Sequence, residues 1–381
     1  MKKYKTVIIG SGISGLACAK TLFDAGYTDF KVIGKRVGGR MLTSKSFTIN
    51  YGASYITSEY KNVSRFIHKG DPLKLNEIYF IQGKKIANVF SWSTIPLIPK
   101  FIKMAYLINE FANRLDRLRK RALEIGQKKA LLEDDVLVKY TEMSAEEFVK
   151  KHKIEKLHKV FFEPVLVSTA FTTKSNAFYY LGVLIPIIRK VWDADFMRTV
   201  LRMTKGFPEK VKKGIVTSVK KQSNGKIIIK TNKTKYEVDN VVIAVPHKQA
   251  HKFYPVPKTG KSIAIYVLHV IGKREEIYRK KKIIFFKTSE HDITILWRQH
   301  TGSDIIFSLI KNPDLDKYYK YHYVVKKIFW NNALAMSGPA KTWASHKLEK
   351  NIWLASDYNI CGLEDSFLTG VYTAKQILKQ Q

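Results

Sequence analysis

The sequence predicts a two-lobed α/β protein in which one lobe is assembled from separated parts of the chain. The 381 residues exceed one minimal core and fall short of three independent domains. A β-branched run, a glycine-rich turn and a helical pattern open the chain, and short strand patterns return near residues 214–246 and 351–355. The segments between them have first helical and then strand patterns, which indicates a second, α+β lobe.

Composition indicates a folded protein with an unusual charge. Hydrophobic residues make up 45% of the chain, enough for buried cores although 26% of positions are charged. Lys and Arg number 67 against 32 Asp and Glu, a formal net charge of +35. This excess either attracts phosphates, in nucleic acid, anionic lipid or a dinucleotide, or reflects lysines spread over every surface. The scatter of the lysines favours the second interpretation, and no specific nucleic-acid motif accompanies them.

Cysteine content and the N-terminal residues bear on the compartment. Two cysteines in so long a chain, Cys18 and Cys361, argue for a reducing compartment without structural disulfides. No apolar signal-peptide region follows Met1, and no apolar run approaches the roughly 20 residues of a membrane-spanning helix. We therefore expect a cytoplasmic protein.

The N-terminal strand, turn and helix have the pattern of a dinucleotide site. Thr6–Ile9 predicts the strand and Leu16–Ala25 the helix. Gly10 permits a tight turn, Gly12 lets the backbone approach a pyrophosphate, and Gly15 lets the helix pack on the strand. The helix N-terminus offers free N–H groups and a positive dipole end to phosphates. The pattern predicts a Rossmann-like fold with a site at Gly10-Ser11-Gly12-Ile13-Ser14-Gly15.

The second strand, Phe30–Ile33, ends without the acid that normally binds an adenine ribose roughly 20 residues past the glycines. Gly34 stands in that position, and Lys35 and Arg36 follow it. These cations either bind a 2′-phosphate, as in NADP sites, or support the pyrophosphate while the ribose contact comes from elsewhere.

The next segments are Arg36-Val37-Gly38-Gly39-Arg40-Met41-Leu42-Thr43 and Asn50-Tyr51-Gly52-Ala53-Ser54-Tyr55-Ile56. They resemble the R-x-G-G-R-x-x-T and G-A-x-x-I segments of the flavin-containing amine oxidase superfamily, which includes protoporphyrinogen oxidase and phytoene desaturase. Two glycines let the backbone lie against a diphosphate, and arginine's planar fork suits phosphate oxygens. The resemblance implies bound FAD, with contacts from Arg36, Gly38, Gly39, Arg40, Gly52, Ala53 and Ser54.

The C-terminal part carries the same resemblance. A predicted strand, Asn351–Ala355, leads to Ser356-Asp357 and to Gly362-Leu363-Glu364-Asp365-Ser366-Phe367-Leu368-Thr369-Gly370, similar to the family's G-x-x-E-G-A-x-x-S-G helix start. By resemblance, Asp357 would hydrogen-bond the flavin ribityl chain, and the backbone of residues 364–370 would approach the flavin ring, with Leu363 and Glu364 among the cofactor-binding residues. Asp365 and Ser366 depart from the family's small Gly-Ala pair.

A hairpin pattern around Asn224-Gly225 lies between these blocks and is followed by a strand pattern from Val238. It resembles the family's second cofactor-domain insertion, in which the backbone of Val216 would meet the adenine. The predicted domains are an FAD-binding domain of residues 1–70, 205–260 and 345–381, and a substrate domain of residues 71–204 and 261–344.

The substrate domain begins with a long helical pattern. Apolar residues from Phe101 to Ala122 recur at three- and four-residue steps, and the cations from Arg114 to Arg121 suit the dipole at its end. Leu97–Ile108 is almost wholly apolar. It is either a core helix that roofs the substrate cavity or an interfacial helix on an anionic membrane, and its incomplete polar face favours the core helix.

The later part of this domain predicts strands at Ile263–Val270, Lys282–Lys287, Ile293–Trp297 and Ile305–Leu309. By resemblance, they floor the substrate cavity, and a lysine near the end of the first strand holds a water against the flavin. Lys273 is the nearest match, with a solvated surface lysine as the alternative. By the same resemblance, Leu363 stands where amine oxidases have an aromatic residue that forms one wall of a cage around the amine. Its absence favours a bulky hydrophobic substrate over a small amine. In the mitochondrial amine oxidases a cysteine binds the flavin covalently. Met336–Trp343 contains no match for that cysteine, so FAD should bind non-covalently.

These features predict an FAD-dependent oxidoreductase that removes a hydride from an apolar or amine-type substrate. Two alternatives stay open: a flavin-dependent isomerase or mutase without net oxidation, and a basic nucleic-acid or membrane-binding protein on a degenerate oxidoreductase fold. His247 and His251 lack a third nearby ligand, so no metal site is expected. Cys361 is either redox-active or a buried thiol.

Overall fold

The computed structural model describes residues 1–44, 46, 48–82, 85–168 and 175–380. The strands in this part of the chain are β1 Lys2–Ile9, β2 Phe30–Gly34, β3 Tyr55–Thr57, β4 His68–Pro72, β5 Ile78–Gln82, β6 Lys85–Ala87, β7 Val191–Asp195, β8 Val211–Lys213, β9 Val216–Lys221, β10 Ile227–Thr231, β11 Lys235–Ile243, β12 Ser262–Arg274, β13 Ile283–Phe285, β14 Ile295–Arg298, β15 Asp304–Ser308, β16 Tyr319–Ala335, β17 Lys347–Glu349 and β18 Ile352–Leu354.

The helices of the described residues follow the same chain order. They are α1 Ile13–Asp24, α2 Ile98–Ile125, α3 Gln127–Leu132, α4 Asp135–Glu142, α5 Ala145–Lys151, α6 Glu155–Leu157, α7 Glu163–Ser168, α8 Ala177–Ile188, α9 Phe196–Thr204, α10 His247–Ala250 and α11 Leu363–Leu378.

The first sheet joins strands from three distant parts of the chain, in the order β17-β18-β11-β1-β2-β8. β1 is parallel to both β2 and β11, and β11 is parallel to β18. The hairpin of β9 and β10 is confirmed and extends from β11. Alternate residues of β1 face opposite cores: Val7 and Ile9 join one, and Ile8 joins the other.

Helices α1 and α11 cover the Ile8 face of this sheet. They pack so closely that a β-carbon at Gly370 would lie 2.1 Å from the carbonyl oxygen of Ser14. Cys18, Leu22 and Ile377 fill the space between these helices and the strands. The first and last described helices are therefore neighbours beside the N-terminal glycine turn.

A small sheet, in the order β3-β7-β4, brings residues 191–195 against residues 55–57 and 68–72. The following helix, α9, packs on α1, and its Phe196, Val200 and Met203 share a core with Ile13 and Leu16. Residues 191–204 thus pack with the N-terminal helix.

The second large sheet has the order β16-β12-β15-β14-β13-β5-β6. All four strands predicted between residues 261 and 310 occur in it, with β12 reaching Arg274. Beside it lies a helical core built on α2 and α8, in which Phe111, Phe148 and Tyr180 are fully buried. α2 has Pro99 in its first turn and ends at Gly126, whose φ of 86° a side chain would disfavour. None of the described helices combines the length and the apolarity that crossing a membrane requires.

Candidate functional site

The glycine turn after β1 is closed by backbone contacts. Gly10 has a φ of 120°, and a β-carbon there would lie 2.2 Å from the carbonyl oxygen of Ala244 at the end of β11. A β-carbon at Gly15 would lie 2.0 Å from the carbonyl oxygen of Gly10. Gly10 therefore serves the turn itself, and Gly15 lets the start of α1 lie against that turn and the end of β11. Gly12 differs, because a β-carbon there would meet only the Cα of Gly39, at 4.0 Å.

A second glycine loop faces the first. Gly38 and Gly39 have φ values of 86° and 57°, so both adopt a backbone conformation that favours glycine. The N–H of Gly38 donates to the carbonyl oxygen of Ser11 at 2.7 Å. A β-carbon at Gly39 would lie 2.9 Å from the Cα of Gly12, so a side chain there would push the two loops apart. The two loops and the N-terminus of α1 form a cradle of the kind that a diphosphate fits.

The structure explains the missing acid at the end of β2. A β-carbon at Gly34 would lie 2.1 Å from Ser11 Oγ, and that hydroxyl donates to the carbonyl oxygen of Arg36 at 2.8 Å. The carbonyl oxygen of Gly34 accepts from the N–H of Gly214 at 3.1 Å. This bond brings the start of β9, with half-buried Val216, beside the end of β2. Ser11 therefore fills the space in which an acidic side chain at position 34 would begin.

Arg40 and Asp357 form an ion pair across the site. Arg40 Nη1 donates to Asp357 Oδ2 at 2.7 Å and to the carbonyl oxygen of Ala333 at 3.1 Å. Burial alone would lower the pKa of Arg40, but Asp357 raises it above its ordinary value. Burial alone would raise the pKa of Asp357, but Arg40 and a hydrogen bond from Ser356 lower it. Both side chains stay charged at neutral pH.

The segment after the second glycine loop packs on Arg40 through its backbone. A β-carbon at Gly52 would lie 1.9 Å from the carbonyl oxygen of Arg40, which also accepts from the N–H of Ala53 at 3.0 Å. Ser54 Oγ donates to the carbonyl oxygen of Gly52 at 3.1 Å. Gly52, Ala53 and Ser54 thus hold the position of Arg40.

The Arg40–Asp357 pair lines a cleft of about 450 Å³. Its other side is formed by α10 and the segment that leads from α10 to β12, which contribute Lys248, Lys258 and Lys261. The cleft also includes apolar and neutral groups from the end of β16, among them Asn332, Leu334 and Ala335. Four of the lining side chains are thus cations, which favours an anionic occupant.

Trp330 of β16 joins the second large sheet to the segment that follows the second glycine loop. Its Nε1 donates to the carbonyl oxygen of Tyr51 at 2.7 Å, and its ring lies 3.4 Å from where a β-carbon of Gly52 would be. The guanidinium of exposed Arg36 lies 5.1 Å from the centre of this ring. Arg36 is therefore held over Trp330, whereas the neighbouring Lys35 is exposed.

Three residues predicted to bind the cofactor use their side chains for contacts within the protein. Ser14 Oγ donates to the carbonyl oxygen of Ser366 at 2.8 Å and so ties α1 to α11. Glu364 accepts from the N–H groups of Asn62 and Val63 at 2.8 and 3.0 Å, so both carboxylate oxygens are occupied. Ile13 is buried in the core that Leu363 also contacts. The side chains of Ser14, Ile13 and Glu364 therefore brace the site rather than face it.

Asp365 is bound by an arginine of α2. Arg119 Nε donates to Asp365 Oδ1 at 3.0 Å and Nη2 to Oδ2 at 2.6 Å, with side-chain exposures of 8% and 1%. Burial alone would lower the pKa of Arg119, but Asp365 raises it. None of the cations from Arg114 to Arg121 lies in the last turn of α2, so the expectation that they serve its dipole is wrong, and Arg119 has a different role. It compensates the carboxylate that replaces the family's glycine at the start of α11.

Cys361 lies near the Arg40–Asp357 pair, and its thiol is neutral. Burial and the charge of Asp357 raise the pKa of Cys361 to about 11, although Arg40 opposes the shift. Burial also raises the pKa of neighbouring Tyr179 well above its ordinary value. Because the thiol is protonated at neutral pH, the structure favours the space-filling interpretation of Cys361 over a reactive thiolate.

The structure does not bring Lys273 to the cleft. The cleft touches β12 at Ser262, and Lys273 is exposed near the other end of that strand, about 36 Å away at 3.3 Å per residue. The prediction of a role for Lys273 beside the reacting atoms is therefore wrong. Lys261, directly before the same strand, lines the cleft instead.

Comparison with known proteins bears on this geometry. Residues 8–69 match the NAD(P)-binding Rossmann-like domain family. A stretch of 95 aligned residues is 33% identical to the flavin-containing amine oxidase B of Rattus norvegicus, and the Mus musculus protein gives the same values. It covers 22% of this chain and 18% of the relative, so the match spans under a fifth of the length of these curated relatives.

Solved structures match along the whole chain. A putrescine oxidase variant superposes with a TM-score of 0.70 at 14% identity, covering 100% of both chains. The cyclohexylamine oxidase of Brevibacterium oxydans gives 0.72 at 13%, covering 99% of both. A fatty acid isomerase from P. acnes gives 0.71 at 13%, covering 99% of this chain and 98% of that one. These findings confirm the predicted Rossmann-like α/β fold and the resemblance to the flavin-containing amine oxidases.

Proposed function

We propose that the chain is an FAD-dependent oxidoreductase that removes a hydride from a carbon of its substrate. The observation that carries this proposal is the cradle formed by Gly12 and Gly39, whose backbones approach until a β-carbon at Gly39 would lie 2.9 Å from Gly12. The relatives named above are flavin-containing oxidases, which supports the choice of FAD over NADP. FAD, when bound, supplies a ring that accepts two electrons and passes them to dioxygen or another acceptor.

The residues of the chain fit such a cofactor in an extended form. The glycine loops and the N-terminus of α1 would hold its diphosphate, with Arg40 as the nearby cation. The start of β9, at Val216, would meet the adenine beside Gly34. Asp357, fixed by Arg40, would bind the polar chain that links the diphosphate to the ring. These residues bind and orient the cofactor without a covalent bond.

The chain's further contribution is to position the substrate and exclude water. Tyr179 and Cys361, which lie near the Arg40–Asp357 pair, carry no charge at neutral pH. A neutral wall favours the apolar part of a substrate, while Lys261 and Lys258 at the cleft favour an anionic part. We infer a substrate with an apolar part and an anionic group, and the lysines argue against a small cationic amine.

Titration of the cofactor-free protein with FAD tests the proposal. We expect tight, stoichiometric binding by the wild type and its loss in Gly12→Val, because the new side chain takes the space of the diphosphate. Gly225→Asn is the matched control, since this glycine has a φ of 81° and open space around it in the distant β9–β10 hairpin. Equal affinity of Gly12→Val and the wild type would refute the placement of the site.

A flavin-dependent isomerase is the second candidate, favoured by the cluster of cations at the cleft. Carboxylates and diphosphates both suit Lys248, Lys258 and Lys261, and one structural neighbour is a fatty acid isomerase. Incubation with candidate fatty acids in the absence of oxygen separates the two candidates. An isomerase turns over many times without an acceptor, whereas an oxidase stops after one equivalent of substrate per flavin.

A further inference from the structure

Six large apolar side chains form an exposed ridge on the second lobe. Trp92 and Ile95 lie three residues apart in the short 3₁₀ helix Trp92–Leu97, which leads directly into α2. Ile98, Ile102 and Tyr106 follow at four-residue steps, so they share one face of α2. The ridge comprises Phe90, Trp92, Ile95, Ile98, Ile102 and Tyr106, with exposures from 48% to 87%.

The opposite face of this helix is already used. Leu97, Met104 and Ile108 are buried in the helical core, together with half-buried Phe101. The start of α2 is therefore apolar on both faces, although a surface helix normally has a polar outer face. The expectation that Leu97–Ile108 forms a core helix holds for one face only. The other face is exposed and forms part of the ridge. Contiguous apolar patches of this kind mark interaction surfaces.

Charge identifies the kind of partner. Residues 78–109 contain four lysines and no Asp or Glu in a chain whose net charge is +35. Lys100 and Lys103 lie on the same helix as Ile98, Ile102 and Tyr106, and Lys103 is exposed although its Nζ donates to the carbonyl oxygen of His152 at 2.9 Å. Trp and Tyr are the residue types that sit at the boundary between lipid headgroups and acyl chains, and lysines beside them meet anionic headgroups. The ridge also projects, since Trp92 is 87% exposed, so it suits insertion better than it suits a protein's groove.

We propose that this ridge docks the protein on the surface of an anionic lipid bilayer. Trp92, Ile102 and Tyr106 enter the headgroup region, and Lys100 and Lys103 contact the acidic headgroups. The start of α2 lies along the membrane plane and does not cross it. This surface operates whether or not the chain binds a flavin, because no residue of the ridge lines the cleft described above.

Sedimentation of the purified full chain with vesicles tests the proposal. We expect binding to phosphatidylcholine vesicles that contain phosphatidylglycerol and much weaker binding to phosphatidylcholine alone. Trp92→Ser/Ile102→Ser should weaken binding at least tenfold, because two apolar side chains no longer insert. Lys100→Gln/Lys103→Gln should weaken it by about fivefold per lysine at low salt and less at high salt.

Matched controls separate docking from general stickiness. Tyr323→Ser removes a side chain exposed to 69%, the same fraction as Tyr106, from β16 on the second large sheet. Lys220→Gln/Lys230→Gln removes two charges from the β9–β10 hairpin. Both controls should bind vesicles nearly as well as the wild type, and far-ultraviolet circular dichroism should show that every variant is folded.

Three results would overturn the proposal. One is no binding of the wild type to the phosphatidylglycerol vesicles, and another is equal loss of binding in the ridge and control variants. The third is a ridge occupied by a second copy: a wild-type dimer in sedimentation velocity that Ile102→Ser converts to a monomer.

Discussion

The buried pair of Arg119 and Asp365 gives the sharpest test of how α2 is joined to α11. Arg119→Met removes the two hydrogen bonds at 3.0 and 2.6 Å and leaves the Asp365 carboxylate, 1% exposed, without its cation. Removing one partner of a buried pair costs about 3–5 kcal/mol, because the remaining charge stays out of water. We expect a loss of this size in the free energy of unfolding at neutral pH.

The double variant Arg119→Met/Asp365→Ala isolates the charge. It removes both ions, so we expect it to recover most of the loss and to unfold within about 2 kcal/mol of the wild type. Urea unfolding followed by circular dichroism measures each value. Arg121→Met is the control, since Arg121 pairs with Glu133 on the exposed face of the same helix, and little change is expected. A double variant as unstable as Arg119→Met would refute the reasoning.

Three further predictions concern the first lobe and the cleft. Gly34→Asp should destabilise the chain by about 1–3 kcal/mol and weaken FAD binding, because its β-carbon would lie 2.1 Å from Ser11 Oγ. Adding Ser11→Gly should partly restore the stability, measured by thermal unfolding, and the affinity, measured by FAD titration. A double variant with no recovery would contradict the steric explanation. The free energy of unfolding should fall as the pH drops from 6.5 to 4, because burial lowers the pKa of His346 to about 4 and the unfolded chain takes up the proton first. This loss, on the order of 3 kcal/mol, should vanish in His346→Gln. An unchanged dependence of stability on pH in that variant would count against the prediction. Lys261→Met should alter the absorption of bound flavin, whereas Lys273→Met should leave it unchanged; the reverse result would restore the assignment of Lys273.

The sequence predicted the parts of the fold that depend on local patterns. The β1–turn–α1 unit, the β9–β10 hairpin and the strands of the second large sheet follow from periodicity and from glycines whose backbone no other residue matches. Side-chain partners brought together from distant parts of the chain were not predictable in this way. Ser11 against Gly34 and Arg119 against Asp365 are such pairs, and each explains a departure from the family pattern.

The error over Lys273 has the same origin. Sequence alone places a lysine on a strand, but it does not say which end of that strand meets the cofactor lobe. In the structure the start of β12, not its end, reaches the Arg40–Asp357 cleft. The role of Leu97–Ile108 was ambiguous, because an apolar helix has the same sequence pattern whether the protein covers one of its faces or both.

The visible absorption spectrum of the purified chain, with identification of any cofactor released by denaturation, tests the central claim most directly. We predict flavin absorption bands in the wild type, release of FAD without proteolysis, and a colourless Gly12→Val protein. A wild-type chain that is folded, colourless and unable to take up added FAD would contradict the account.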